Sequence, residues 1–239
     1  MIVGLTALCA LLGFAAGLGL PRPINLLLAG EGSAGSGSGR ARRFAGAEAD
    51  AGHGRAAAVP LAALAGLVCG LLAWRLGPGL DLLAFLVLAV AGITLAVVDA
   101  RTMRLPDPVL LVTLCTGLAL LGMESLALGD FTPYRRALFG GGILAGYHLC
   151  VAMVSRGSLG MGDVKLAGVI GLHLAWLGWG VLVTGAFLAF LSAGLVAGGL
   201  MVAGRVRRGT RLPFGPWLLM GALGGVLCGE ELSRAHLGW

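Results

Sequence analysis

Charged residues are scarce in this chain of 239 residues. Only 12% of the residues are charged and 58% are hydrophobic, whereas an ordinary soluble domain has about 25% charged residues. A soluble protein of this length could not bury so much apolar surface. The composition therefore excludes an ordinary soluble domain and predicts an all-α integral membrane protein.

Lysine is almost absent, and metal-ligand or disulfide motifs are absent. Lys165 is the single lysine beside 16 arginines, and the net charge is +6. These charges lie in short segments between apolar runs, which indicates membrane orientation rather than nucleic-acid binding. The five cysteines include no C-x-x-C pair and the four histidines have no ligand spacing. We therefore expect neither a metal site nor a disulfide framework.

What the chain has instead is apolar runs long enough to cross a membrane, which takes about 20 mostly apolar residues. Eight segments qualify, and they predict a polytopic bundle of about eight transmembrane helices. The segments are Ile2–Leu20, Ala56–Ala73, Leu80–Val98, Val109–Leu128, Leu138–Val154, Val164–Leu177, Val181–Ala203 and Phe214–Leu232. Three glycine pairs have the spacing of small residues that let membrane helices pack closely, and we interpret them as packing surfaces. They are Gly13/Gly17, Gly194/Gly198 and Gly221/Gly225.

The distribution of basic residues predicts the orientation of the bundle. With the N-terminus outside, 13 basic residues fall on the cytoplasmic side and 4 on the outer side, in agreement with the positive-inside rule. The first run has no basic residue before it and Arg22 after it, which favours a retained helix over a cleaved signal peptide. We therefore expect an inner-membrane protein with its N-terminus outside.

A polar segment divides the predicted helices. Residues 30–55 are rich in Gly, Ala and Ser and contain few apolar residues, which predicts a flexible cytoplasmic loop. The loop would separate a first transmembrane helix, residues 1–29, from a transmembrane domain, residues 56–239.

Beyond this loop, three acidic residues fall on the predicted cytoplasmic side. Asp99 ends the third run and Asp163 begins the sixth, so both lie at cytoplasmic helix ends. Ionisable residues at membrane depth are costly and tend to be functional, although each could merely mark where a helix leaves the bilayer. Asp107 lies between two prolines, and we expect it to cap the following helix.

Three short motifs accompany these aspartates. Together they resemble the type IV prepilin peptidases, a family of GxGD membrane aspartyl proteases, over roughly Ala56 to Leu232. The motifs are Asp99 with Leu105 and Pro106; Gly160, Gly162, Asp163 and Lys165; and Pro213, Phe214, Gly215 and Pro216.

The resemblance implies an aspartic endopeptidase that removes the basic leader of prepilins or pseudopilins at the cytoplasmic membrane face, just before the hydrophobic stem. Asp99 and Asp163 would be its catalytic pair, with the other motif residues in support. One carboxylate would take a proton from the attacking water, and the other carboxyl would protonate the leaving amine. The implied partners are the prepilin or pseudopilin and the lipid bilayer, with no nucleic acid, metal or cofactor.

Helix ends predict different roles for the two aspartates. Asp163 begins a helix, where the dipole favours negative charge, and Asp99 ends one, where the dipole disfavours it. We therefore predict that Asp163 is the ionised base and Asp99 the protonated acid. For Lys165 two interpretations stay open: pairing with a carboxylate or the substrate, and snorkelling to the membrane interface.

The chain also departs from the family. Many members carry a cytoplasmic insert with paired cysteines and methylate the new pilin N-terminus, whereas the loop here is short and cysteine-free. This difference weighs against N-methylation and S-adenosylmethionine binding. Two alternatives stay open: a GxGD protease with another substrate, such as a remnant signal peptide, and a non-enzymatic transporter or secretion scaffold.

Overall fold

The computed structural model is helical throughout the residues that it describes, which are 2–21, 24–25, 42–154, 159–206 and 213–237. Eight long helices lie within them, one for each predicted segment, so the prediction of an all-α fold is confirmed for this part of the chain. The helices are α1 (Ile2–Gly19), α2 (Arg42–Leu76), α3 (Leu80–Thr102), α4 (Asp107–Leu128), α5 (Thr132–Val154), α6 (Met161–Leu177), α7 (Trp179–Val202) and α8 (Gly215–Leu237).

Five of these helices are long and apolar enough to cross a membrane: α3, α4, α5, α7 and the Ala58–Leu76 part of α2. α1 is a shorter apolar helix, and α6 has 17 residues. The helices therefore fit a membrane bundle, and the number of eight crossings stays a prediction.

The second helix differs from the prediction at its start. α2 begins at Arg42, so residues 42–55, which the composition predicts as loop, have a helical backbone. Their alanine content supplies the helix propensity that the loop prediction neglected. Residues 30–41 of that loop lie outside the described residues. Six of the arginines predicted to be cytoplasmic also lie outside the described residues. They are Arg22, Arg40, Arg156, Arg207, Arg208 and Arg211.

The chain forms two compact units, Met1–Gly77 and Pro78–Trp239. In the first unit, α1 packs on α2 through small residues. A Cβ atom on Gly13 would lie 2.7 Å from Cys69 Sγ, and one on Gly17 would overlap the Ala62 backbone. The predicted packing role is confirmed for these two glycines, and within the second unit for Gly221 and Gly225, where a Cβ atom would lie 2.5 Å from the Ala189 nitrogen and 2.8 Å from Gly185 Cα. It is wrong for Gly194 and Gly198, where a Cβ atom would meet nothing within 4 Å among the described residues. The predicted functional boundaries at residues 29 and 55 stay a prediction.

α6 lies at the centre of the second unit. It contacts α4, α5, α7 and α8, and 12 of its 17 residues are buried. Its C-terminal end is held by Arg136, which donates to the carbonyl oxygens of Ala175 (2.6 Å) and Trp176 (2.5 Å). These carbonyls belong to the last turn, whose acceptors have no partner within the helix. The contacts along α6 thus set the position of its first turn, which carries Asp163.

We expect Gly17→Ala to lower the melting temperature of the detergent-solubilised protein by several degrees, because the added methyl group forces α1 away from α2. Gly4→Ala is the matched control, since a Cβ atom there meets nothing within 4 Å. It should leave the melting temperature unchanged or raise it slightly through helix propensity. Equal melting temperatures for the two variants would contradict the described packing of α1 on α2.

Candidate active site

Asp99 lies in the last turn of α3, with its side chain 4% exposed. Its Oδ2 atom accepts a hydrogen bond from the backbone N–H of Gly215, at 3.0 Å. Met103, in the left-handed region with φ 53°, ends the helix, and its N–H donates to the Asp99 carbonyl oxygen. Asp99 is therefore held by its main chain to the end of α3 and by its side chain to the start of α8.

The third motif explains why this amide is available. The Phe214 carbonyl oxygen accepts the N–H groups of Trp217 and Leu218, both at 3.1 Å, and Pro216 has no N–H. The Gly215 N–H is therefore the donor in the first turn of α8 that can bond to a group outside the helix. A Cβ atom on Gly215 would lie 2.8 Å from Asp99 Oδ2. Glycine therefore permits the carboxyl group to approach this amide.

Asp163 is the third residue of α6, and its Oδ2 atom accepts the Gly160 N–H at 3.1 Å. This contact is one half of a capping box, because Gly160 has no side chain to return the bond. Asp163 is 9% exposed, and its Oδ1 atom is buried without a hydrogen-bond partner among the described residues. The ionised form of this carboxyl group is therefore disfavoured.

The two carboxyl groups interact electrostatically. Burial, and after it the charge of Asp99, raises the pKa of Asp163 to about 6, while the Gly160 N–H acts in the opposite direction. Asp163 lies outside the five apolar spans described above. Two carboxyls that interact in this way titrate as a pair. The pair brings together residues that are 64 positions apart in the sequence.

The dipole argument for their roles omitted the direction of the side chains. The Asp99 carboxyl turns from the end of its own helix to the N-terminus of α8, so it too faces the positive end of a helix dipole. The pKa of Asp163 is raised, which is opposite to the effect expected from its own helix. The assignment of Asp163 as the base stays a prediction without the support of the dipole argument.

The first and second motifs fit together at Gly162. A Cβ atom on Gly162 would lie 2.9 Å from Cβ of Leu105, in the link between α3 and α4. The next residue, Pro106, is the N-cap of α4. Gly162 therefore lets the first turn of α6 lie against the residues that follow Asp99.

Lys165 and Asp107 form an ion pair with each other. Lys165 Nζ lies 2.7 Å from Asp107 Oδ1, with side chains 49% and 68% exposed. The prediction that Asp107 caps α4 is wrong, because α4 begins at Asp107 itself and Pro106 precedes it without a side-chain cap. Of the two interpretations of Lys165, pairing with a carboxylate is confirmed. An ion pair this exposed contributes about 0.2–1 kcal/mol.

Sequence reasoning treated the histidines only as packing residues. His148 and His173 are fully buried, and the side chains of His53 and His236 lie outside the described residues. The His148 ring packs on Phe190 and lies 6.0 Å from the ring of Phe214. A histidine within an apolar run is the sequence signal that could have marked His148 as a functional candidate, because a buried imidazole needs a hydrogen-bond partner. Among the described residues, no three His, Cys, Asp or Glu side chains cluster as a metal site would require.

Part of the chain is similar in sequence to known proteins. Residues 86–202 match the model of the type IV leader peptidase family. The chain is 38% identical to the prepilin leader peptidase/N-methyltransferase of Dickeya chrysanthemi, over 70% of this chain and 57% of that protein. It is 35% identical to the protein of the same name from Neisseria gonorrhoeae, over 74% of this chain and 59% of that protein.

The chain is 29% identical to the protein of that name from Stutzerimonas stutzeri, over 74% of this chain and 61% of that protein. The chain thus spans about three fifths of the length of these relatives. No solved structure matches the chain.

We expect Gly162→Ala to lower the melting temperature in detergent by several degrees, because its methyl group would push α6 away from Leu105. Gly160→Ala is the matched control in the same motif. A Cβ atom at Gly160 would have ordinary contact, 3.4 Å from Asp163 Oδ2, and its backbone is extended. Its expected cost is only a few tenths of a kcal/mol for the weaker cap. A larger loss for Gly160→Ala than for Gly162→Ala would contradict this geometry.

Proposed function

We propose that this chain, whose residues 86–202 belong to the type IV leader peptidase family, is a membrane aspartyl endopeptidase that removes the basic leader of prepilins or pseudopilins. The observation that carries the proposal is that Asp99 and Asp163 are both buried and that the charge of Asp99 acts on the carboxyl group of Asp163. Each carboxyl group accepts a backbone N–H at a helix start, and among the described residues Oδ1 of Asp163 has no hydrogen-bond partner.

This pair has the chemistry that peptide hydrolysis by carboxyl groups requires. One carboxylate accepts a proton from the water that attacks the scissile carbonyl carbon. The other carboxyl group hydrogen-bonds the carbonyl oxygen and then protonates the leaving amine, so that the pair ends with the proton count it began with. Two interacting carboxyls hold a single proton over a range of pH because the second ionisation is disfavoured by the first.

The distribution of charge supports a site at the cytoplasmic face. With the N-terminus outside, the count of 13 basic residues against 4 favours a cytoplasmic position for the ends of α3 and α6 that carry Asp99 and Asp163. A basic leader would be held on that side by the same rule, and the hydrophobic stem of the substrate would enter the bilayer beside the bundle. Cleavage between the two parts requires carboxyl groups at this boundary.

We propose peptidase activity without methylation of the product. The relatives named above are leader peptidase/N-methyltransferases. The proposal differs from that name because the loop between the first two helices of this chain contains no cysteine. Mass spectrometry of a cleaved product should therefore find an unmodified N-terminal amine.

The test is cleavage of a prepilin from the same organism, co-expressed with the wild type or with a variant. We expect Asp99→Asn and Asp163→Asn each to lower cleavage by about 100-fold or more, because asparagine keeps the shape of the side chain but can act neither as base nor as acid. Mature and precursor bands on an immunoblot give the measurement.

Asp107→Asn is the matched control, since Asp107 lies on the same side of the bundle but is exposed and paired with Lys165. It should cleave as well as the wild type. Full cleavage by either variant of the catalytic pair would reject the aspartyl mechanism. If the wild type cleaves a remnant signal peptide but none of the prepilins tested, the alternative of a GxGD protease with another substrate would be favoured.

The raised pKa of Asp163 predicts a pH dependence. The free pair needs one proton, and it loses that proton as the pH rises through the pKa of about 6. We therefore expect kcat/KM, measured with purified enzyme in detergent, to fall about tenfold per pH unit above this value. Asp107→Asn should show the same alkaline limb. A profile that stays flat from pH 5 to pH 8 would contradict a shared proton.

A further inference from the structure

We infer that His148 is a positioning residue for the catalytic pair, and that it acts through Phe214 and the Gly215 amide on Asp99. This inference rests on the proposed function. Its structural basis is a cluster of four rings, from Tyr147 and His148 on α5, Phe190 on α7, and Phe214 before α8. We call these four residues the aromatic cluster.

His148 is held rigidly in this cluster. Its side chain is fully buried, and its Nδ1 atom lies 2.9 Å from the carbonyl oxygen of Leu144, one turn earlier on α5. This contact assigns the proton to Nδ1 and fixes the plane of the ring. The Nε2 atom is buried without a partner among the described residues. The ring is thus oriented by one hydrogen bond, while its face is free for aromatic packing.

The packing of the cluster leads directly to Phe214. The His148 ring stacks on Phe190, with centroids 5.4 Å apart and planes at 27°. Phe214 completes a triangle, 5.2 Å from Phe190 and 6.0 Å from His148. Tyr147 meets both His148 and Phe190 edge to face. Phe214 is therefore held by two other helices and not only by its own.

The next step along the chain reaches the catalytic carboxyl. Phe214 is the N-cap of α8, since its carbonyl oxygen accepts the Trp217 and Leu218 amides. The residue after it donates its N–H to Asp99 Oδ2. A shift of the Phe214 ring would therefore rotate the first turn of α8 and move this amide. A hydrogen bond weakens steeply with distance and angle, so a small shift at Phe214 is enough to change the ionisation of Asp99.

The direction in which the loss of this hydrogen bond shifts the pH profile can be measured. The Gly215 N–H stabilises the ionised form of Asp99, and its loss makes the proton on the pair harder to remove. The groups that face this carboxyl are the Gly215 amide on α8 and the Asp163 carboxyl on α6. Loss of His148 should therefore move the alkaline limb of the kcat/KM profile to higher pH and lower kcat.

The experiment compares His148→Phe with His148→Leu and His148→Ala in purified protein cleaving a prepilin. We expect His148→Phe to keep kcat within about threefold, because a ring still packs on Phe190 and Phe214. His148→Leu and His148→Ala should lower kcat about tenfold with KM nearly unchanged, and should raise the alkaline limb by about half a pH unit. Phe190→Leu reaches Phe214 by an independent route and should shift the limb in the same direction, even if His148→Ala does not fold.

His173→Ala is the matched control. His173 is also fully buried, and its Nδ1 atom lies 2.8 Å from the carbonyl oxygen one turn earlier. It packs edge-on against Phe85 instead of Phe214. It lies on α6 ten residues after Asp163, which is about 15 Å along the helix, so its loss should lower the melting temperature and leave the alkaline limb in place.

The outcomes separate this inference from the proposed function. Cleavage by the wild type with an unshifted limb in His148→Leu and Phe190→Leu would overturn the positioning role and leave the peptidase standing. An equal shift in His173→Ala would also overturn it, because the effect would then follow from any buried cavity. A wild type that does not cleave prepilins would reject the proposed function itself.

Discussion

The hydrogen bond from the Gly215 N–H to Asp99 Oδ2 is the contact on which the arrangement of the site depends. It joins the last turn of α3 to the first turn of α8 across 116 residues of sequence. A buried carboxyl group is costly unless it is hydrogen-bonded, and this amide is free because Phe214 caps the turn and Pro216 has no N–H. The third motif is therefore the set of residues that one such contact requires.

The same reasoning applies to the glycine before Asp163. A side chain at Gly162 would collide with Leu105, which follows Asp99 in the link between α3 and α4. The two close approaches act on one region, since Gly215 contacts the carboxyl group of Asp99 and Gly162 contacts the side chain of Leu105, six residues further along the chain. The motif glycines thus bring three helix ends together, and the two aspartates meet because the ends that carry them do.

The helices and the aspartate pair could be predicted from the sequence, because long apolar runs and charges at their ends are local signals. The directions of the side chains could not. Asp107 follows a proline and looks like a cap, yet its carboxylate turns to Lys165, 58 residues away. Asp99 lies at the end of α3, yet its carboxyl group accepts a hydrogen bond from the N-terminus of α8. In both cases a tertiary partner outweighs the rule for the residue's own helix, and no pattern within one segment contains that partner.

What distinguishes the two carboxyl groups is then a buried oxygen without a donor rather than the helix end. Both accept one backbone N–H, but Oδ1 of Asp163 is buried with no partner among the described residues. An ionised carboxylate pays most for an oxygen without a donor, which agrees with burial as the main cause of its raised pKa. A proton on Oδ1 removes that cost and creates a donor without breaking the bond to Gly160. This argument favours Asp163 as the carboxyl that holds the shared proton and offers it to the substrate carbonyl oxygen, the reverse of the roles that the helix dipoles alone predict.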